Sequence, residues 1–116
     1  MITKYRAWDR ETKSMNGMAE IYRNRKQEIE LHPRDENIIL MQSTGLRDKN
    51  GKEIFEGDVL ETKDGLLDGV VEYRTDLGMW TNSLFRYNNF ERLCNVADST
   101  YIIGNIYENP ELLEAN

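Results

Sequence analysis

The chain has 116 residues, of which 39% are hydrophobic and 31% charged, and a net charge of −6. This length suits one domain, whose core needs no disulfide or metal because about two-thirds of the unfolded surface can be buried at this size. The composition excludes a disordered chain, and no apolar run approaches the ~20 residues of a membrane-spanning helix.

The charge is unevenly spread. Residues 1–39 hold eight basic and seven acidic side chains, net +1, whereas residues 40–116 hold seven and fourteen, net −7. An acidic surface repels a polyphosphate backbone, so nucleic acid is a disfavoured partner. Residues 1–10, MITKYRAWDR, carry no apolar signal stretch, and the expected location is the cytoplasm. Cys94 is the only cysteine, which excludes an intrachain disulfide and agrees with a reducing compartment. No basic neighbour adjoins it to lower its pKa, so it is expected to be a small buried apolar residue. His32 is the only histidine, and one His with one Cys cannot build the usual zinc sites. It lies in the polar stretch ELHPRDEN and reads as a surface residue before Pro33 rather than a member of a catalytic triad.

In chain order, TKYRAWD alternates as a strand, with Tyr5 and Ala7 on one face and Arg6 and Trp8 on the other. Asp9 to Lys13 is a polar turn, and Met15–Tyr22 returns as a second strand interrupted at Gly17. Residues 23–37 form a polar excursion in which Pro33 forbids a long helix. Ile38 to Gln42 is the strongest apolar run and reads as a buried strand, broken by Thr44-Gly45. Asn50-Gly51 suits a type I′ hairpin turn, with positive φ at both central positions. Gly57-Asp58 leads into the strand Val59–Lys63, Asp64-Gly65 turns, and Gly69–Tyr73 is the return strand. Met79–Thr81 opens another strand. Asn82 to Asn95 fits strand, loop or helical turn equally. Tyr101–Tyr107 is the last strand, with Gly104 marking a bulge or a close backbone approach. Asn109, Pro110 and Glu111 have the pattern of a helix start, with room for a single turn. Together these predict one mainly β domain over residues 1–116, a small barrel or sandwich with a short C-terminal helical turn.

Four segments in order carry a resemblance. They are Tyr5–Asp9, the run LMQSTGLRDKNGKEIFEGD from Leu40 to Asp58, Gly69–Tyr73 with Trp80, and IGNIYENPEL from Ile103 to Leu112. In this order they are similar to the YopX family of phage proteins. The resemblance spans most of the chain, leaving out residues 23–37 and 82–98. At position 43 the family pattern suggests a larger or aromatic residue, and Ser43 stands there. The resemblance implies a phage or prophage origin in a Gram-positive bacterium, hence the host cytoplasm, and a mostly β fold of SH3-like character. It narrows the expected fold to a small SH3-like or related β-barrel. It supplies no reaction, so no catalytic, cofactor-binding or metal-binding residue is assigned.

Among the residues themselves, Glu53, Glu56, Asp58 and Glu61 are close enough in sequence to suggest acid–base chemistry or a hard cation. Their simpler reading is a turn acceptor at Asp58 and solvent-facing charges at the glutamates. Trp8, Phe85 and Tyr87 flank polar or irregular stretches and are the candidate partner-interface residues. Arg23, Arg25 and Lys26 are the only local basic cluster, flanked by Glu20, Glu28 and Glu30, and are the candidate nucleic-acid contacts. The resulting expectation is a noncatalytic accessory protein that needs no cofactor. It acts by binding a host or phage protein and by forming a homo-oligomer. The alternative is a nucleic-acid-associated SH3-like module in phage replication or regulation.

Overall fold

The computed structural model of the chain describes residues 2–22 and 37–114. Nearly all of the polar excursion, with Arg23, Arg25 and Lys26, lies outside the described residues. The described chain is mainly β, with two sheets, one of them curled into a half-barrel, and short helices. The chain divides into two compact units, Met1–Ser43 and Thr44–Asn116, and each is taken by itself.

In the first unit, β1 (Ile2–Asp9) pairs antiparallel with β2 (Ser14–Tyr22) and with the first half of β3 (Ile38–Arg47). The pairs Arg6↔Met41 and Trp8↔Ile39 put these four residues on one face of the ladder. Trp8 and Met41 are buried there, and Arg6 Nη2 lies 3.6 Å from Met41 Sδ. β2 is continuous through Gly17. The register passes from Tyr5↔Ala19 to Ala7↔Asn16, so Arg6 of β1 faces two residues of β2 in a β-bulge at Gly17 and Met18. The turn between β1 and β2 is set by Asp9, whose Oδ1 accepts the N–H groups of Glu11 (2.9 Å) and Thr12 (3.2 Å).

The second unit opens inside β3. The predicted break at Thr44-Gly45 does not occur, and the strand runs on to Arg47. Thr44 holds it to β4 (Glu53–Phe55) by donating its hydroxyl to Ile54 O at 2.8 Å. The second sheet has the order β8-β7-β6-β5-β9. Its strands are β5 (Asp58–Thr62), β6 (Gly69–Arg74), β7 (Met79–Leu84), β8 (Phe90–Arg92) and β9 (Thr100–Asn105). The ambiguous stretch from Asn82 thus resolves into the end of β7, β8 and a single helical turn, α1 (Leu93–Val96). Each is too short to show its own period. In α1 Leu93 and Val96 are buried, which turns Cys94 outward. Cys94 is therefore exposed, not the buried residue that its chemistry suggested.

The core of this unit is Ile54, Leu60, Val71, Leu93 and Ala97, with Leu46, Trp80 and Ile102 packed against it. Gly57 ties its strands together, donating its N–H to Val71 O (2.9 Å) and accepting that of Ile106 (3.0 Å). Asp58 accepts the Phe55 N–H at 2.7 Å and is buried, the turn role expected of it.

The Asn50-Gly51 hairpin is not a type I′ turn, because only Gly51 has positive φ (+81°). Gly51 N–H bonds Asp48 O, and Asp48 N–H bonds Lys52 O. This is a type I turn followed by a left-handed glycine, the three-residue hairpin loop. The local competitor that decides it is the Asp48 side chain. Its Oδ1 accepts the N–H groups of Asn50 and Lys52, both at 2.9 Å. Its Oδ2 accepts the N–H of Ile102 at 3.0 Å, and Lys49 N–H bonds Thr100 O at 2.8 Å. The turn thereby covers the outer edge of β9, which would otherwise expose an unpaired strand.

At the end of β9 the register moves from Val59↔Gly104 to Leu60↔Ile102, which bulges Ile103. A Cβ at Gly104 would lie 2.5 Å from Asn109 Oδ1, so the residue is both bulge neighbour and close approach. The predicted helical turn is present as α2 (Glu111–Glu114). Asn109 does not cap it with its side chain. Its Oδ1 points back to Asn105 N–H (3.3 Å), while Asn105 Oδ1 accepts the N–H groups of Tyr107 and Glu108.

Two stability changes follow. Asp48→Ala orphans three backbone donors and should cost about 3 kcal/mol in urea unfolding, with Asp48→Asn costing less because one acceptor oxygen remains. Gly69→Ala would place a Cβ 2.3 Å from the Ser83 carbonyl oxygen. Backbone cannot yield as a side chain can, so this change should cost about 3 kcal/mol by the same measurement.

Candidate functional site

One end of the second sheet is built from loops fixed by their own polar side chains. Thr62 closes β5, and Asp68 Oδ1 accepts its N–H at 2.8 Å. The Thr62 hydroxyl accepts Leu67 N–H at 3.1 Å and donates toward Asp64 Oδ1 (3.1 Å) and Asp68 Oδ1 (3.4 Å). Asp64 Oδ1 also accepts Leu66 N–H at 3.0 Å. The Asp64-Gly65 turn is thus locked around one hydroxyl and two carboxylates. Buried Asn82 donates Nδ2 to Leu67 O at 2.7 Å. Phe85 N–H bonds Asp68 O at 3.0 Å, which brings the loop after β7 to the same end.

These restraints leave large apolar side chains outside. Leu66 is 41% exposed and Tyr87 51%, while Phe85 is half-buried. Beside them lies an open cavity of about 560 Å³ lined by Lys49, Thr62, Lys63, Asp64, Leu67 and Ser99. Lys49 reaches it from the Asp48 turn, with Nζ 5.7 Å from the centre of the Tyr101 ring, a cation–π distance. Ser99 donates its hydroxyl to Val96 O, so toward the cavity it offers an acceptor.

Asp64 is held below the usual carboxylate pKa, first by the Leu66 N–H, then by the Thr62 hydroxyl, with Arg86 adding a smaller attraction. It therefore faces the cavity as a carboxylate already committed to its own loop.

A second concavity of about 220 Å³ lies on β6–β8, lined by Arg74, Ser83, Asn88, Asn89 and Phe90. The Arg74 guanidinium stands 4.9 Å over the Phe90 ring and binds Asp76 through Nε (3.0 Å) and Nη2 (2.8 Å). Arg74 pairs with Met79 and Phe90 with Ser83, so the arginine crosses over Thr81, which is fully buried although it sits on that face. The hydrogen bonds from Arg74 lower the pKa of Asp76, and Asp76 in turn raises that of Arg74. Across the sheet, Tyr73 and Trp80 pack edge to face at 5.1 Å.

Of the residues singled out from sequence, the structure brings Phe85 and Tyr87 to the cavity end. Trp8 belongs to the first unit and is 8% exposed, so its ring offers little surface to a partner. Arg23, Arg25 and Lys26 lie outside the described residues. Among the carboxylates considered for acid–base chemistry, Asp58 serves its turn and Glu61 points to solvent. Among the described residues, no group of three or more His, Cys, Asp or Glu side chains could hold a metal ion. Lys49, Lys63, Leu66 and Ser99 were not anticipated. The one sequence signal was Leu66-Leu67 directly after a turn, where a pair of leucines is out of place.

The chain matches known proteins along nearly its whole length. The family model described as YopX protein matches residues 4–114. The chain is similar to the crystal structure of protein EF1440 from Enterococcus faecalis, with 31% identity and a TM-score of 0.63 over 96% of this chain and 97% of that one. It is also similar in fold to the crystal structure of protein yopX from Bacillus subtilis, with 24% identity and a TM-score of 0.59 over 100% and 99%. No curated protein sequence matches it.

Asp64 and Asp76 have lowered pKa values in the fold, so what they contribute is present above the unfolded carboxylate value and lost as pH falls through the folded one. Carboxyl NMR titration should place both midpoints below that of aspartate in a free peptide. Thr62→Val should move the Asp64 midpoint upward and leave Asp76 in place.

Proposed function

Because the chain belongs to the YopX family, we propose that it is a noncatalytic phage or prophage accessory protein of the bacterial host cytoplasm. It acts by binding protein, including further copies of itself. Its five-stranded antiparallel sheet is read as an SH3-like barrel used for docking rather than for chemistry.

The observation that carries this reading is the exposure of Leu66 and Tyr87 on loops pinned by hydrogen bonds. An apolar side chain on a fixed loop loses little further freedom when a partner covers it, which is the condition for an efficient contact residue. The second unit, residues 44–116, holds seven basic and fourteen acidic side chains, net −7. That balance favours a protein partner over the alternative of nucleic acid.

Sedimentation velocity from low to high micromolar concentration tests this. The expected result is reversible association that the double variant Leu66→Ser/Tyr87→Ser weakens at least about tenfold, with the melting temperature unchanged because neither side chain is in the core. A strict monomer across that range would contradict self-association.

A further inference from the structure

We propose that the cavity between Lys49, Lys63 and Leu67 binds a carboxylate-bearing peptide, an acidic residue followed by an apolar one. This deepens the docking reading above and rests on it.

The second unit has twice as many carboxylates as cations, yet two ammonium groups lining the same cavity lack a carboxylate partner among the described residues. Lys49 is positioned by the Tyr101 ring, and Lys63 makes no hydrogen bond or ion pair to any described residue. Asp64, the one carboxylate in the lining, is engaged by Leu66 N–H and the Thr62 hydroxyl. The Thr62 hydroxyl is itself fully used, and Ser99 presents an acceptor. The side-chain donors left for a ligand are therefore the two ammonium groups, and what they bind is an anion.

The charge of that anion is limited. Asp64 lines the cavity, and Asp68 stands behind it on the same hydroxyl. Two carboxylates so placed repel a phosphate dianion much more than a single carboxylate, so the site suits a monoanion. The lining adds an apolar wall at Leu67 that continues outward to exposed Leu66. A cavity of about 560 Å³ is large enough for two side chains. Open to solvent and continuous with Leu66, it suits a segment of chain laid across it. The acidic side chain meets the lysines, and the next apolar residue meets the leucines.

The test is an amide-NMR titration of the full chain with acetyl-Asp-Leu-Asp-Leu-amide, beside acetyl-Asn-Leu-Asn-Leu-amide. The acidic peptide should give saturable shifts at Lys49, Lys63, Leu67 and Ser99. Lys49→Gln/Lys63→Gln should weaken it roughly tenfold, and so should high salt. Equal response to both peptides would overturn the carboxylate proposal and leave the docking surface standing if Leu66 and Tyr87 respond. No response at this end to either peptide would overturn the peptide proposal, while the sedimentation experiment decides the docking reading separately. Tighter saturation of the same residues by inorganic phosphate would overturn the choice of carboxylate.

Discussion

The second unit depends on one buried carboxylate. Asp48 accepts three backbone N–H groups, two from its own turn and one from Ile102 in a strand more than fifty residues away. A carboxylate that loses its water must regain hydrogen bonds within the protein, and here the regained bonds fix both a loop and its place. The turn cannot leave β9 without taking the acceptor from the Ile102 N–H. The edge of the second sheet is covered, and Ile102 is held against the core. The same anchor sets Lys49, whose N–H bonds Thr100 and whose ammonium rests over Tyr101. The cavity wall and the edge cover are thus consequences of one side chain.

The acidity of the chain has a structural meaning beyond Asp48. Asp9, Asp58, Asp64 and Asp68 each accept backbone N–H groups where a strand ends or a turn begins. Asn105 and Asn109 do the same at the end of β9. Short strands leave many unpaired donors, and short polar side chains are the nearest acceptors. Much of the family-like signature from Leu40 to Asp58 is therefore the chemistry of turns. Its polar residues hold loops, and the proposed interaction surface consists of side chains that these loops leave over.

The β content, the Ile38 strand, the last strand with Gly104 and the single C-terminal helical turn were legible because each is marked by apolar runs or by Gly, Asn and Pro. The hairpin at Asn50 was misread because dipeptide preference ignores an aspartate two residues earlier that can accept the turn's own N–H groups. Cys94 was misread because four residues of helix reveal no period, and only the burial of Leu93 and Val96 shows which way it turns. Phe85 and Tyr87 were singled out from their irregular surroundings, and the structure places them on the loop after β7. Lys49, Lys63 and Ser99 were not, since they meet only through the β5–β9 pairing and the Asp48 anchor.

The claim that one carboxylate docks the turn on the edge strand is most directly tested by native-state hydrogen exchange at Ile102. Its amide is bonded to a side chain rather than to a neighbouring strand. The account expects protection close to that of the core strand residues Leu60 and Val71, lost only in global unfolding. Fast exchange at Ile102 alongside protected Leu60 and Val71 would mean that the turn leaves the edge freely, and would contradict it.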